Sequence, residues 1–189
     1  MWGCFPLYWA LLNHVNPSEV LIHRMLWAVP VLFLLVHFKP SWKNNFKESL
    51  SSKKELVFLF ITAILITINW GGYIYAVNLG RVVEASMGYF LSPVINMIGG
   101  YIFFHERISK LKQLAVLFAT VGALYYVFSG DSFPWLGFLV GFTFSAYGIA
   151  RKAMASSAVP GLYIETLILL PFLLIFSLWF YTNYDIAFF

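Results

Sequence analysis

Residues 56–80 read LVFLFITAILITINWGGYIYAVNLG, a run of 25 residues without a single Asp, Glu, Lys or Arg. Similar uncharged runs cover residues 85–104, 113–130, 132–150 and 166–184. A transmembrane helix needs about 20 consecutive, mostly apolar residues to cross the hydrocarbon core of a bilayer. The chain therefore contains several segments that are long enough to cross a membrane as helices.

The composition of the chain supports a membrane protein. Of its 189 residues, 61% are hydrophobic and only 11% are charged, whereas soluble domains carry about 25% charged residues. A chain of this length cannot hide so much apolar surface in one core. The long uncharged runs also differ from the alternating strands of an outer-membrane barrel. We predict an all-α, polytopic membrane helix bundle.

Seven candidate spans follow from this pattern. They cover roughly residues 1–13, 20–38, 56–78, 84–104, 112–129, 133–150 and 161–182. The first candidate is too short to cross alone, and it lacks the basic region and cleavage site of a signal peptide. We therefore expect the native chain to start earlier, so that this one is N-terminally clipped.

The basic residues predict the orientation. Residues 39–54, 107–112 and 151–152 together hold ten of the 12 Lys and Arg residues. Because cytoplasmic loops retain Lys and Arg, this distribution predicts a cytoplasmic N-terminus. The net charge of +4 is spread over three loops without a groove-reading motif, so nucleic acid is not a predicted partner. The single Cys4 excludes an intrachain disulfide and a cysteine-based metal cluster.

The fourth candidate span contains polar residues within a lipid-length helix. At 100° per residue, its small and polar residues share one face. That face holds Ser86, Tyr89, Pro93, Asn96 and Gly100. One interpretation is a cavity wall, in which Pro93 frees a backbone carbonyl for a ligand or water. The other is helix packing through small residues and hydrogen bonds. Glu84 lies off this face, and we predict that it caps the start of the helix.

The third and sixth candidate spans carry further small and polar residues. One face of the third span holds Thr62, Asn69, Gly72, Tyr73 and Ala76. Asn69 needs a partner because it lies near mid-bilayer. We expect the fourth span to supply that partner. In the sixth span, the spacing of a packed helix face is found at Gly137, Gly141, Ser145 and Gly148.

Arg24 and Glu165 are charged residues placed about one turn inside their spans. A charge within the bilayer costs about 2.5–3.5 kcal/mol on insertion scales, so it is usually paired or functional. The alternative is snorkelling to the headgroups, which is easier for Arg than for Glu. The topology places them near opposite membrane faces, so we expect no direct salt bridge and predict that each guards one mouth of a central cavity.

A short internal repeat predicts the domain organisation. Arg24 precedes Pro30 by six residues, as Glu165 precedes Pro171. The two copies lie five spans apart and enter the membrane from opposite sides, as in the inverted repeats of secondary transporters. We expect two five-helix repeats and ten helices in all. Residues 1–130 would form the first repeat, with a shortened first helix, and residues 131–189 would begin the second with helices six and seven, the remainder being missing.

One series of residues runs through the chain: Asn69-Trp70, Tyr75-Ala76-Val77-Asn78, Glu84-Ala85-Ser86-Met87-Gly88-Tyr89-Phe90, Pro93, Asn96 and Glu106-Arg107. Together with Glu19, His23-Arg24 and Ile164-Glu165-Thr166, this series resembles the RarD-type members of the EamA branch of the drug/metabolite transporter superfamily. The resemblance implies ten helices in two inverted EamA repeats and a location in the plasma (inner) membrane. It also implies movement of small metabolites or drugs, with a naming tradition tied to chloramphenicol sensitivity.

The function that we predict is that of a permease working by alternating access. Its predicted substrate cavity is lined by Asn69, Tyr73, Ser86, Tyr89, Pro93 and Asn96, and its gate or charged-contact residues are Arg24 and Glu165. The alternative is a non-transporting truncated membrane protein, or a partner subunit that packs against other helices. We expect no enzyme, cofactor or metal, because no catalytic constellation occurs at one depth. The predicted partners are a small-molecule substrate, the lipid bilayer and a second copy in a homodimer.

Overall fold

The structure is a computed structural model that describes residues 11–12, 14–130 and 132–184. The regular elements of these residues are all helices: α1 (Pro17–Phe38), α2 (Pro40–Ser51), α3 (Lys53–Asn78), α4 (Val82–Phe104), α5 (Lys110–Ser129), α6 (Trp135–Lys152) and α7 (Ala158–Asn183). Five of them, α1, α3, α4, α5 and α7, are long and apolar enough to cross a membrane. The predicted all-α membrane bundle is confirmed.

Two helices differ from the sequence-based expectation. The predicted sixth span corresponds to α6, which has 18 residues and is not among the five helices that are long and apolar enough to cross a membrane. The basic segment after α1 was expected to be a loop but forms α2, whose Trp42 and Phe46 are partly buried while Lys43 and Lys47 are exposed. Nearly all of the first candidate span, residues 1–13, lies outside the described residues.

Local sequence signals set the helix ends. The side chain of Asn16 accepts a hydrogen bond from the Ser18 amide at 2.9 Å, and Pro17 opens α1, a position that proline favours because its ring fixes φ. Ser52 caps α3 by accepting from the Glu55 amide at 3.3 Å. At the other end of α4, His105 adopts a left-handed conformation with φ of 51°, which ends the helix.

The bundle is centred on α6. Helix α4 packs along α6 most extensively, α3 packs on α6 as well, and α7 packs against α1, α2 and α3. Helix α5 contacts α4, and its only fully buried residue is Ala123. A core of apolar side chains joins α1, α3, α4 and α6. It includes Val20, Ile74, Val77, Ala85 and Val140.

Glycines bring α4 and α6 into backbone contact. A Cβ atom added to Gly88 would lie 2.5 Å from the carbonyl oxygen of Gly137. A Cβ on Gly137 would lie 2.5 Å from the Glu84 carbonyl oxygen, and one on Gly141 would lie 2.8 Å from the Gly88 carbonyl oxygen. Real side chains do not fit at these distances, so the crossing requires glycine. The small-residue packing predicted for this face is confirmed.

Three connections meet at one end of the bundle, which we call the basic end: residues 39–55, 105–112 and 151–158. Lys152 forms an ion pair with Glu106 there, joining the end of α6 to the α4–α5 connection. Asn45 of α2 bonds to Ser157 in the α6–α7 connection. These contacts show that the predicted basic loops lie together at the same end.

The glycine crossing makes a testable prediction about stability. Gly137→Ala inserts a methyl group into the contact between α4 and α6, and overpacking of this kind costs about 1–3 kcal/mol. Gly122→Ala is the matched control, because a Cβ at Gly122 meets no atom within 4 Å. We expect the control to be unchanged or stabilised by up to about 1 kcal/mol through helix propensity. Denaturant unfolding in mixed micelles measures both, and equal stability of the two variants would contradict the crossing.

Candidate functional site

The first polar cluster surrounds Arg24, and we call it the Arg24 cluster. It consists of Arg24 from α1, Trp70 and Tyr73 from α3, Tyr89 from α4 and Phe144 from α6. The Arg24 guanidinium carbon lies 4.0 Å from the centroid of the Trp70 ring, which is cation–π geometry. The ring centroids of Tyr73 and Tyr89 are 5.7 Å apart, and those of Tyr89 and Phe144 are 5.5 Å apart. The structure thus brings three predicted site residues, Arg24, Tyr73 and Tyr89, to one place where four helices meet.

The second polar cluster surrounds Glu165, and we call it the Glu165 cluster. It consists of Thr62 from α3, Tyr147 and Arg151 from α6, and Glu165 from α7. The Glu165 side chain is 1% exposed. Its Oε1 accepts a hydrogen bond from the Thr62 hydroxyl at 2.6 Å, its Oε2 accepts one from the Tyr147 hydroxyl at 3.3 Å, and Arg151 Nη1 lies 3.6 Å from Oε1. The buried carboxyl group therefore lies beside a cation and is hydrogen-bonded on both oxygens.

Asn69 has a different partner from the one expected. Its amide nitrogen donates to the Val140 carbonyl at 2.8 Å and to the Thr143 hydroxyl oxygen at 3.2 Å, and both partners belong to α6. The expectation that the fourth span would satisfy Asn69 is wrong. The helix in contact with this face of α3 is α6, because the glycine crossing holds α6 between α3 and α4.

The residues of the predicted polar face of α4 lie in different surroundings. Tyr89 belongs to the Arg24 cluster, Ser86 is half-buried, and Pro93 is exposed. Asn96 is exposed as well and borders a cavity of about 340 Å³ at the basic end. That cavity is also lined by Gly100, Glu106, Arg107, Lys112 and Lys152.

Glu84 caps a helix, but the helix is α6 and not its own. Its Oε1 accepts a hydrogen bond of 2.7 Å from the Leu136 amide in the first turn of α6. Its Oε2 lies 2.6 Å from Arg81 Nη2. A carboxylate at a helix N-terminus satisfies a free amide and interacts well with the helix dipole. Glu84 therefore fixes where α6 begins beside α4.

Sequence reasoning missed several residues of the Glu165 cluster. The sequence analysis interprets Arg151 only as a topology signal and does not place Tyr147 in a site. Thr62 shares the polar face of α3 with Asn69, which was the one available signal for it. Among the residues that the structure describes, no group of three or more His, Cys, Asp or Glu side chains could hold a metal ion.

The fold and its lipid-length helices define a multi-pass helical membrane protein. The chain belongs to the EamA-like transporter family, because its residues 1–128 match that family. It is 36% identical over 173 residues to the uncharacterized transporter YojE of Bacillus subtilis, an alignment that covers 90% of this chain and 58% of the relative.

Proteins with the RarD name are also similar to this chain. The protein RarD of Escherichia coli is 35% identical over 171 residues, covering 90% of this chain and 57% of the relative. The chloramphenicol-sensitive protein RarD of Pseudomonas aeruginosa is 31% identical over 177 residues, covering 92% and 59%. The chain thus spans somewhat less than three fifths of the length of these relatives. The predicted RarD-type resemblance is confirmed. No solved structure matches the chain.

The surroundings of α4 make a prediction about water access. In a background with Cys4→Ser, we expect Asn96→Cys to react rapidly with a charged, water-soluble thiol reagent because Asn96 borders the cavity. Ser92→Cys should react slowly, because Ser92 is 4% exposed. Phe90→Cys should also react slowly, because Phe90 is 66% exposed on a face that we assign to lipid. Labelling of the protein in nanodiscs, followed by mass spectrometry, gives the three rates. Equal rates at Asn96 and Phe90 would contradict a water-filled cavity.

Proposed function

We propose that this protein is a secondary transporter that moves small metabolites or drugs by alternating access. In this proposal the substrate path runs between the two predicted repeats, along α1, α3, α4 and α6. Asn69, Tyr73, Ser86, Tyr89, Pro93 and Asn96 line or shape the path, and Arg24 and Glu165 act as charged gate or contact residues. The membrane is the plasma membrane, with the basic end and the N-terminus on the cytoplasmic side.

The observation that carries the proposal is the pair of charged clusters at two depths of the same helices. Thr62 of the Glu165 cluster and Trp70 of the Arg24 cluster are eight residues apart on α3, which is about 12 Å along a helix. Charges inside lipid-length helices are costly and are kept mainly where they serve binding or ion movement. Two such sites at different depths can gate the two ends of a substrate path in turn, as alternating access needs.

Membership of the EamA-like transporter family and similarity to proteins named as transporters support the same proposal. The relatives' names do not give a substrate, except that one relative is named for chloramphenicol sensitivity. Chloramphenicol is therefore a reasonable first probe for this chain.

A helix-packing partner subunit is the second candidate. The observation that favours it is α5, which exposes a long apolar surface that includes Leu117, Phe118, Val121, Tyr125 and Phe128. Such a face fits either lipid or another helix, including that of a second copy in a homodimer. Transport by the chain separates the two functions.

The proposed function predicts the effect of neutralising each charged cluster. We expect Arg24→Gln and Glu165→Gln each to lower the flux of radiolabelled chloramphenicol into proteoliposomes by about tenfold or more. The basis is the loss of a charged interaction worth about 1.5–3 kcal/mol, and each 1.4 kcal/mol corresponds to about tenfold.

The control variants remove charges at exposed positions. Lys43→Gln and Glu48→Gln change side chains that are exposed and lie outside both charged clusters, so their flux should stay at the wild-type level. Unchanged flux in both Arg24→Gln and Glu165→Gln would remove the gate assignment. Absence of flux in the correctly inserted wild-type protein would favour the partner-subunit function.

A further inference from the structure

Two neighbouring cavities at the basic end share part of their walls. The first is the cavity of about 340 Å³ that reaches Asn96, and its walls come from α4, α6 and the connection between α4 and α5. The second has a volume of about 530 Å³ and is lined by residues 101–102, 105–108 and 113. Residues 106–108 line both cavities. The two cavities are therefore parts of one recess, which we call the α4–α5 recess.

The backbone at the end of α4 shapes this recess. The Glu106 amide donates to the Gly100 carbonyl at 3.2 Å, and the left-handed conformation of His105 turns the chain back over the last turn of α4. A Cβ atom on Gly100 would lie 2.6 Å from Glu106 Oε2, so glycine at this position leaves room for the carboxylate. Lys152 of α6 forms its ion pair with the same carboxylate. The ion pair holds the Lys152 ammonium group at the wall of the recess.

The recess carries more positive than negative charge. Three cationic side chains line its first cavity, and they belong to Arg107, Lys112 and Lys152. The carboxylate among the described lining residues is that of Glu106. The hydrogen bond and charge of Lys152 lower the pKa of Glu106, so this carboxylate is ionised and offsets the charge of Lys152. Among the described residues, the side chains of Arg107 and Lys112 take part in no ion pair, so their charges can bind an anionic ligand.

The wall beside these charges is apolar. Tyr101 and Ile102 line the second cavity, and both side chains are exposed. Helix α4 is long and apolar enough to cross a membrane and ends at Phe104. The cationic side chains after Phe104 therefore lie at the depth of lipid headgroups, and the exposed apolar side chains before it lie at the depth of the acyl chains. A ligand that fits both parts of the recess has an anionic head and an apolar tail.

We propose that the α4–α5 recess binds an anionic phospholipid. The phosphate group lies among Arg107, Lys112 and Lys152, as anionic headgroups do in basic pockets between transmembrane helices. The acyl chains lie along Tyr101 and Ile102. A soluble phosphate ion shares the chemistry of the headgroup, but the apolar wall offers it no contact, so the site is one for a lipid. This inference goes beyond the proposed transport function and does not depend on it.

A bound lipid ties α5 to the rest of the bundle. Helix α5 packs on α4, and its only fully buried residue is Ala123. Arg107 and Lys112 lie on either side of the start of α5, whereas Lys152 is the last residue of α6. A phosphate group held by all three side chains joins α5 to α6. Because the unfolded chain lacks this arrangement, lipid binding stabilises the folded bundle.

Native mass spectrometry of the purified protein measures the affinity for lipid. We expect phosphatidylglycerol to bind more tightly than phosphatidylcholine with the same acyl chains, because only phosphatidylglycerol carries a net negative charge. The double variant Arg107→Gln, Lys112→Gln should raise the Kd for phosphatidylglycerol by about 20–30-fold, since each cation is worth about fivefold. The matched control, Lys43→Gln with Lys47→Gln, removes the same charge from exposed positions on α2 and should leave the Kd unchanged. Equal losses in the two double variants, or no preference between the two lipids, would overturn the proposal.

Thiol labelling tests whether the lipid lies in the recess. The Asn96→Cys variant, in a Cys4→Ser background, is labelled in nanodiscs with an uncharged, water-soluble maleimide. We expect slower labelling in phosphatidylglycerol than in phosphatidylcholine, because a bound headgroup covers the cavity that Asn96 borders. Adding Arg107→Gln and Lys112→Gln should abolish this protection, whereas replacing the two α2 lysines instead should preserve it. Equal labelling rates in the two lipids would contradict a lipid in this recess.

Inorganic phosphate distinguishes a lipid headgroup from a soluble anion. In phosphatidylcholine nanodiscs, adding phosphate at constant ionic strength should leave the labelling rate of the Asn96→Cys variant unchanged, because the ion lacks the apolar tail. Protection by phosphate as strong as that by phosphatidylglycerol would overturn the lipid assignment and make the recess a site for soluble anions. Protection by phosphatidylglycerol alone supports the proposal.

Discussion

The close crossing of α4 over α6 is the contact on which the rest of the bundle depends. Lipid solvates apolar side chains as well as another helix does, so helices associate in a membrane through tight packing and hydrogen bonds. Gly88 and Gly137 supply the tight packing. Glu84 supplies a hydrogen bond to the first turn of α6, and Asn69 supplies another from α3 to its middle. Together they fix the depth and the rotation of α6.

The position of α6 determines what its remaining face can do. Once one side of α6 lies against α4 and α3, Phe144 reaches the Arg24 cluster, and Tyr147 and Arg151 reach the Glu165 cluster. One helix thus contributes to both charged clusters. A change in the tilt of α6 would alter the two clusters together, which is the kind of coupling between two ends that alternating access needs.

The sequence predicts the helices well because long uncharged runs have only one stable form in lipid. It also predicts that Arg24 and Glu165 need special surroundings, because charge within such a run is costly. The sequence cannot predict which helix a given residue contacts. A helical wheel shows which residues share a face, but it does not show which helix packs against that face. Asn69 was therefore assigned to the wrong partner, and Arg151 was interpreted only as a loop charge. Helix α2 was missed because residues 39–54 hold five lysines and were interpreted only as a basic loop.

The most direct test of the crossing between α4 and α6 is the formation of a disulfide between the two helices. The Cβ atom of Leu91 lies 3.3 Å from the position of a Cβ atom on Gly141, close to the spacing of about 3.5–4.5 Å in disulfides. In a Cys4→Ser background, oxidation of native membranes should link Leu91→Cys to Gly141→Cys within one chain. The control pair, Leu91→Cys with Gly122→Cys, should not form a link, because Gly122 has no atom of another residue near its Cβ position. A link in the control pair alone, or in neither pair, would contradict the crossing.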